Sequence, residues 1–211
     1  MLPADIFILN ALPLTKAEYE DPSSVNDFIP HFKKEKLKDG ETADWPSYER
    51  EIVNPYKKFK QFISSYGVHF FENVTLNDFS KVVLQKHELI ILMSHCKNGG
   101  TEEEAIEFNN GLKGSCDVLD IIPLKYDKIL DLGICNPSYF SSLVQARRPA
   151  MVLRYAAVEI SIIYWSIFYS ELLIEIVENK RDYFDAYKEA LYNMLDFKKK
   201  DNATQGNPKR L

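Results

Sequence analysis

Short apolar runs alternate with segments of helical periodicity along this chain, and this alternation constrains the fold more than any other feature. Two of the runs, at residues 89–93 and 129–134, have polar flanks on both sides. A strand that is apolar at nearly every position is typical of a parallel sheet whose two faces are both covered. Because strand and helix signals alternate, the sequence predicts an α/β domain with a mainly parallel central sheet.

The remaining elements fit the same pattern. Further strands are expected at residues 6–9, 68–71 and 150–155. Pro46 can begin a helix whose apolar positions recur every three or four residues up to Ile63, with a kink at Pro55. Lysines at 33–38 interleave with acidic residues, which favours a solvated loop or a short helix. From about residue 160 onward the periodicity predicts closing helices.

Length and composition bound the class of protein. A chain of 211 residues suits one domain, which we expect at residues 1–197, followed by a flexible basic tail at 198–211. Three cysteines argue against a disulfide framework and favour a reducing compartment. The net charge of −5 gives no reason to expect a nucleic-acid or anionic-membrane surface.

The sequence gives no sign of export or membrane insertion. The first residues lack the basic and apolar regions of a signal peptide. The most apolar stretch, residues 151–177, contains several charged residues, and we interpret it as core rather than as a membrane span. We therefore expect a cytoplasmic protein with neither a nucleic-acid nor a membrane partner.

Two reactive residues come at the ends of the two most buried strands. His95 follows the strand at 89–93, and Cys135 ends the strand at 129–134. Functional groups gather beyond the carboxyl ends of parallel strands, so this placement predicts that both residues reach one crevice. A thiol and an imidazole there could act as nucleophile and base. From residue type alone, however, a cysteine at a strand end is more often a small packed residue.

Other assignments of the histidines and cysteines are weaker. His31 is expected in a charged loop, where it has no partner in the sequence pattern. A zinc site formed by His95, Cys96, Cys116 and Cys135 is a second interpretation, but the spacing typical of zinc ligands is missing. We therefore expect neither a metal nor a cofactor, and we interpret Cys116 as structural.

Several stretches together resemble the catalytic landmarks of caspase-like cysteine peptidases. These are the strand end at 92–95, Gly111 within 106–112, the run at 130–136, and the closing segments at 168–169 and 187–191. The sequence is most similar to the CHAT-type group, relatives of caspases and separase, over about residues 5–196. The resemblance implies a caspase-like three-layer α/β/α sandwich with a mainly parallel central sheet.

The resemblance also assigns roles to residues. It implies that Cys135 is the nucleophile, that His95 is the base or proton donor, and that the backbone amides of Cys96 and Cys135 form the oxyanion site. In that family a glycine follows the histidine, whereas this chain has Cys96. A main-chain N–H can still serve as donor there, provided that the backbone does not require a positive φ.

The resemblance also implies a class of substrate. Relatives outside the true caspases commonly prefer a basic residue before the scissile bond, and Asp131 or Glu159 could form the acidic wall of such a pocket. Asp131 shares a strand face with Cys135, although it could equally cap a neighbouring loop. The acidic run at 102–104 could also favour cationic peptides, but it is more typical of a solvated loop.

These observations lead to two hypotheses. The first is a cysteine endopeptidase that forms an acyl-enzyme and acts on a protein or peptide substrate, in bacterial defence or regulated proteolysis, under a separate sensor or activator protein. The second is a non-catalytic caspase-like interaction module, which the missing glycine after His95 favours.

Overall fold

A five-stranded parallel sheet lies at the centre of the chain. The computed structural model describes residues 1–85, 87–157 and 160–204, the last four by their backbone only. The central strands are β1 (Ile6–Asn10), β2 (His69–Phe71), β3 (Leu89–Met93), β7 (Ile129–Cys135) and β8 (Val152–Ala156). Their order across the sheet is β2-β1-β3-β7-β8, and every neighbouring pair is parallel. The predicted α/β class is therefore confirmed.

Helices connect the strands and cover both faces of the sheet. They are α1 (Lys16–Glu20), α2 (Phe28–Lys38), α3 (Trp45–Tyr48), α4 (Asn54–Ile63), α5 (Leu76–Leu84), α6 (Ser115–Asp120), α7 (Ser138–Arg147), α8 (Ile162–Val177) and α9 (Tyr183–Thr204). Side chains of α1 to α4, α8 and α9 pack on one face, which we call the α8 face. Those of α5, α6 and α7 pack on the other, the α7 face. The result is the expected three-layer sandwich.

The apolar composition of the central strands explains this layering. Every residue of β1 and β3 is buried. Alternate side chains of β3 point to opposite faces, with Ile91 and Met93 on the α8 face and Ile90 and Leu92 on the α7 face. A strand apolar on both faces is stable only between two helical layers, because burial of each such side chain contributes about 1.5–3 kcal/mol.

A small second sheet leaves the central one after β3. It consists of β4 (Cys96–Lys97), β5 (Ala105–Phe108) and β6 (Gly111–Gly114), paired antiparallel in the order β4-β5-β6. The main chain joins the two sheets directly, since the Ser94 N–H donates to Gly133 O at 3.4 Å and the Glu107 N–H donates to His95 O at 2.9 Å. His95 therefore lies at the junction between the two sheets.

Two helical segments differ from the sequence prediction. The expected kink at Pro55 takes the form of a π-helical stretch, Glu49–Val53, between α3 and α4. Proline lacks a backbone N–H, so an irregular turn before it omits a regular helical bond at little extra cost.

The C-terminal helix extends beyond the predicted end of the domain. Residues 198–204, expected in a flexible tail, continue α9. Phe197 packs edge-on against Tyr164 with ring centroids 6.3 Å apart, and Lys200 pairs with Asp196 at 2.6 Å. These contacts support the last turns of the helix. Residues 205–211 lie outside the described part of the chain.

Candidate functional site

His95 lies at the carboxyl edge of the central sheet, two residues beyond β3. Its side chain is 11% exposed because α2 covers it. The ring packs against Phe28, with centroids 5.5 Å apart, and against His31, at 4.8 Å. The Nε2 atom is 3.5 Å from Asp27 Oδ2. The imidazole is thus held between the sheet and the first turn of α2.

The surroundings of His95 favour its neutral form. Burial and the nearby charge of His31 lower the pKa of His95 to about 4, although Asp27 acts in the opposite direction. At neutral pH the ring therefore has one free nitrogen lone pair. A neutral imidazole can accept a proton, as a general base must.

Cys135 is the last residue of β7 and is half-buried. The Ile160 N–H donates to its Sγ at 3.3 Å, and the Cys135 thiol donates in turn to Ile160 O at 3.8 Å. Ile160 leads directly into α8, so the start of this helix contacts the thiol. An N–H directed at sulfur stabilises the thiolate, which is the reactive form of cysteine.

The adjacent parallel strands β3 and β7 bring His95 and Cys135 to the same edge of the sheet. β3 and β7 are adjacent, and Met93 pairs with Gly133. Each of the two candidate residues lies two positions beyond that pair. Met93 packs on the α8 face, and a Cβ at Gly133 would lie 3.2 Å from Tyr169 on that same face. Beyond this pair β3 has ended, and β7 has an irregularity against β8 between Leu132 and Cys135. The directions of the two side chains therefore follow from their contacts. His95 packs against Phe28 and Cys135 Sγ contacts Ile160, and both of these residues belong to the α8 face.

Cys96 occupies a position suited to a main-chain donor. The Glu107 N–H donates to His95 O, so Cys96 and Ile106 form the non-hydrogen-bonded pair of the β4–β5 ladder. The Cys96 N–H therefore points away from β5. Its φ angle is not positive, so the backbone here does not need the glycine of the caspase-like pattern.

The thiol of Cys96 differs from that of Cys135. Burial, together with the charges of Glu104 and Cys135, raises the pKa of the Cys96 thiol to about 12. It therefore stays protonated at neutral pH, where a thiol is a poor nucleophile. The Cys96 thiol is therefore a weaker candidate nucleophile than that of Cys135.

The segment after Cys135 makes a tight turn against the loop that follows β4. Asn136 has φ +52°, and its N–H donates to Ala156 O at 2.7 Å. A Cβ at Gly99 would lie only 2.4 Å from Asn136 O, so only glycine allows these two backbones to approach so closely. The loop after β4 therefore forms one wall beside the candidate nucleophile.

Buried Glu104 holds this loop against α7 through hydrogen bonds to both. Its carboxylate is 1% exposed and accepts from the N–H groups of Tyr139 and Phe140, at 3.0 and 2.7 Å, in the first turn of α7. It also accepts from the Gly100 N–H and the Ser115 hydroxyl, both at 2.8 Å. The prediction of a solvated acidic loop is thus wrong for Glu104, which instead caps α7 from another element.

Glu107 caps the start of α2, on the other side of the site, in the way that Glu104 caps α7. It is fully buried, and its carboxylate accepts from the N–H groups of Asp27 and Phe28 at 2.8 and 3.0 Å. Burial is the main reason why the pKa of Glu107 is raised to about 7. The hairpin β5–β6 thus anchors the helix that covers His95.

Asp131, one of the two residues predicted to line an acidic substrate pocket, does not lie on a pocket wall. Asp131 is 1% exposed and accepts from the hydroxyls of Tyr169 and Tyr183 at 2.9 and 2.6 Å, inside the core. Burial raises the pKa of Asp131 to about 6 despite these bonds. An acidic residue on an apolar strand is here a buried hydrogen-bond acceptor. Glu159 lies outside the described residues.

The remaining cysteine and the metal hypothesis can be placed as well. Cys116 lies exposed on α6, so the interpretation of this residue as structural packing is wrong. Within residues 1–85, 87–157 and 160–204, no cluster of three histidine, cysteine, aspartate or glutamate side chains could hold a metal ion. In the same ranges, no helix has both the length and the apolar character needed to span a bilayer.

Sequence reasoning missed the residues that surround His95. The sequence pattern predicts a charged loop at His31, and this is wrong, because His31 lies on α2 beside the candidate base. Asp27 carried no signal of its own, since an aspartate before a helix is usually an N-cap. The one available clue was the four-residue spacing of Asp27 and His31, which places both on one helix face.

Comparison with models of known protein families gives no match, and comparison with curated proteins gives none either. The fold and the site geometry therefore carry the functional argument.

Proposed function

We propose that the chain is a cysteine endopeptidase in which Cys135 is the nucleophile and His95 the general base. The observation that carries this proposal is that both residues follow adjacent parallel strands, at one edge of the sheet, and both contact residues of the α8 face. The neutral form of His95 and the N–H of Ile160 directed at the Cys135 sulfur support it further.

The chemistry follows from these groups. The His95 ring accepts the proton of the Cys135 thiol, and the sulfur attacks the peptide carbonyl carbon. The N–H of Cys96, which points away from β5, stabilises the oxyanion together with that of Cys135. When the C–N bond breaks, the ring returns the proton to the leaving amine. Water then hydrolyses the thioester, which releases the acid and regenerates the thiol.

A non-catalytic interaction module is the second candidate. The close cover over His95 favours it, because the side chain is only 11% exposed beneath α2. Under the peptidase proposal α2 must shift when substrate binds, and a separate activator protein would be one means of shifting it. The module hypothesis requires no such movement.

Cleavage profiling against a peptide library tests the two candidates. The wild-type chain is compared with Cys135→Ala and His95→Ala, and with Cys116→Ala and His69→Ala as matched controls from outside the site. The peptidase proposal expects cleavage by the wild type and both controls and none by the first two variants. Equal cleavage by Cys135→Ala, or none by any protein, would favour the module.

A further inference from the structure

Asp27 is an aspartate at a helix start that does not cap its own helix. It precedes α2, yet its side chain makes no capping bond to that helix. Asn26 and Glu107 take over this role: Asn26 Oδ1 accepts from the Ile29 N–H at 2.9 Å, and Glu107 accepts from the N–H groups of Asp27 and Phe28. Because these other groups cap α2, the Asp27 carboxylate is available for another role.

The Asp27 carboxylate is directed into the candidate site instead. One oxygen, Oδ2, lies 3.5 Å from His95 Nε2, and the other, Oδ1, accepts from Lys97 Nζ at 2.7 Å. Lys97 therefore fixes the orientation of the carboxylate, and the carboxylate faces one nitrogen of the ring. The distance to Nε2 is at the long end for a hydrogen bond, as is common before substrate binds.

We infer that Asp27 is the positioning residue of the candidate dyad. It accepts a hydrogen bond from His95 Nε2, which fixes the ring in the tautomer that carries its proton there and leaves Nδ1 as the nitrogen that serves Cys135. This inference rests on the proposed function for its catalytic meaning, but the contact between Asp27 and His95 can be tested separately. Holding a base in the correct tautomer is what the third member of a catalytic triad does.

The charges around the ring make the inference specific. His95 faces Asp27 just before α2, His31 on α2 and Lys97 on β4. Through the main chain it also faces Glu107 on β5. The Asp27 charge acts to raise the pKa of His95, whereas His31 and Lys97 act to lower it. Removal of the Asp27 charge and removal of the Lys97 charge should therefore shift the titration of His95 in opposite directions.

The first test is NMR of ¹⁵N-histidine-labelled full-length chain, which reports the tautomer and the titration of His95. The wild type should show the proton on Nε2 at neutral pH. Asp27→Ala should lose this preference, and Asp27→Asn should keep it, because an amide oxygen still accepts a hydrogen bond. The Asn variant should titrate at lower pH than the wild type, and Lys97→Gln at higher pH. An unchanged tautomer in a folded Asp27→Ala protein would overturn the inference.

The second test is the pH profile of peptide cleavage by the same proteins. Asp27→Ala should lower kcat at least about 10-fold with KM within about 2-fold, because positioning acts on the base rather than on substrate binding. The acidic limb should move to lower pH in Asp27→Asn and to higher pH in Lys97→Gln. A limb that stays in place in both variants overturns the positioning role. A tautomer that depends on Asp27, in a chain that cleaves no peptide, overturns the proposed function instead.

Discussion

Replacement of Glu104 should destabilise the fold and disturb the site together. The carboxylate accepts four hydrogen bonds, three from main-chain N–H groups and one from Ser115, in a fully enclosed position. Two of these N–H groups belong to the first turn of α7, the helix that follows Cys135. Glu104→Ala would leave these donors without a partner, and Glu104→Gln would leave one oxygen to serve them.

The magnitude follows from these bonds. An unpaired buried donor costs about 1–3 kcal/mol, and a charged acceptor at a helix N-terminus contributes up to about 2 kcal/mol more. Because water can reach part of the truncated site, we expect Glu104→Ala to lower the free energy of unfolding by about 3–5 kcal/mol. Glu104→Gln keeps the shape and some of the bonds, so we expect a loss of about 2 kcal/mol.

Urea denaturation at neutral pH measures this difference, with the exposed neighbour Glu103 as a matched control. Glu103→Ala and Glu103→Gln should change the unfolding free energy by less than about 0.5 kcal/mol, as surface substitutions usually do. If Glu104→Ala were no more destabilising than Glu103→Ala, Glu104 would not hold the wall beside Cys135. In Glu104→Gln, which should remain folded, the rate at which a peptide electrophile labels Cys135 should also fall.

Three further predictions concern single positions. The pKa of Asp131 in the folded protein is about 6, above its ordinary value, so this group makes the native state less stable as pH rises from about 4 to about 6. Asp131→Asn should remove up to about 3 kcal/mol of that fall in stability. If the unfolding free energies of the wild type and this variant changed in parallel with pH, the prediction would be refuted. Gly99→Ala should push Asn136 away and lower the rate of peptide cleavage at least about 10-fold. Circular dichroism should show little loss of secondary structure. Full activity would contradict the close approach of the Gly99 and Asn136 backbones. Cys96→Ala should cleave peptide at a rate within about 3-fold of the wild-type rate, because the proposed mechanism uses only the backbone N–H of residue 96. A far larger loss would assign a role to the Cys96 thiol.

The central sheet was predictable from the sequence because its inner strands β1, β3 and β7 are apolar at nearly every position. Runs such as Leu89–Met93 leave few alternatives to a strand between two helical layers, and the residues at their ends follow from the strand boundaries. The small second sheet was less accessible, since β4 has only two residues. Its position depends on long-range pairing with β5 rather than on a local pattern.

The buried charged residues around the candidate dyad could not be predicted from the sequence. Glu104, Glu107 and Asp131 are charged, and charged residues are usually exposed. Each is buried here because donors from distant segments converge on it, such as the α7 amides on Glu104 and the tyrosine hydroxyls on Asp131. Local sequence contains no record of these partners.

The position of α2 shows the same limit. Its lysines suggested a solvated segment, whereas buried Ile29 and Phe32 dock it on the α8 face. This docking brings Asp27 and His31 to the candidate base. Only the tertiary contacts of α2 show that the segment belongs to the site.

The most direct test of the central claim is intact-mass and peptide-mapping analysis after reaction with a thiol-reactive peptide electrophile near neutral pH. We predict one peptide adduct, on Cys135, which forms in the wild type and in Cys116→Ala and is lost or strongly slowed in His95→Ala. An adduct confined to the exposed Cys116, or labelling of Cys135 that proceeds at the same rate without His95, would contradict a catalytic dyad.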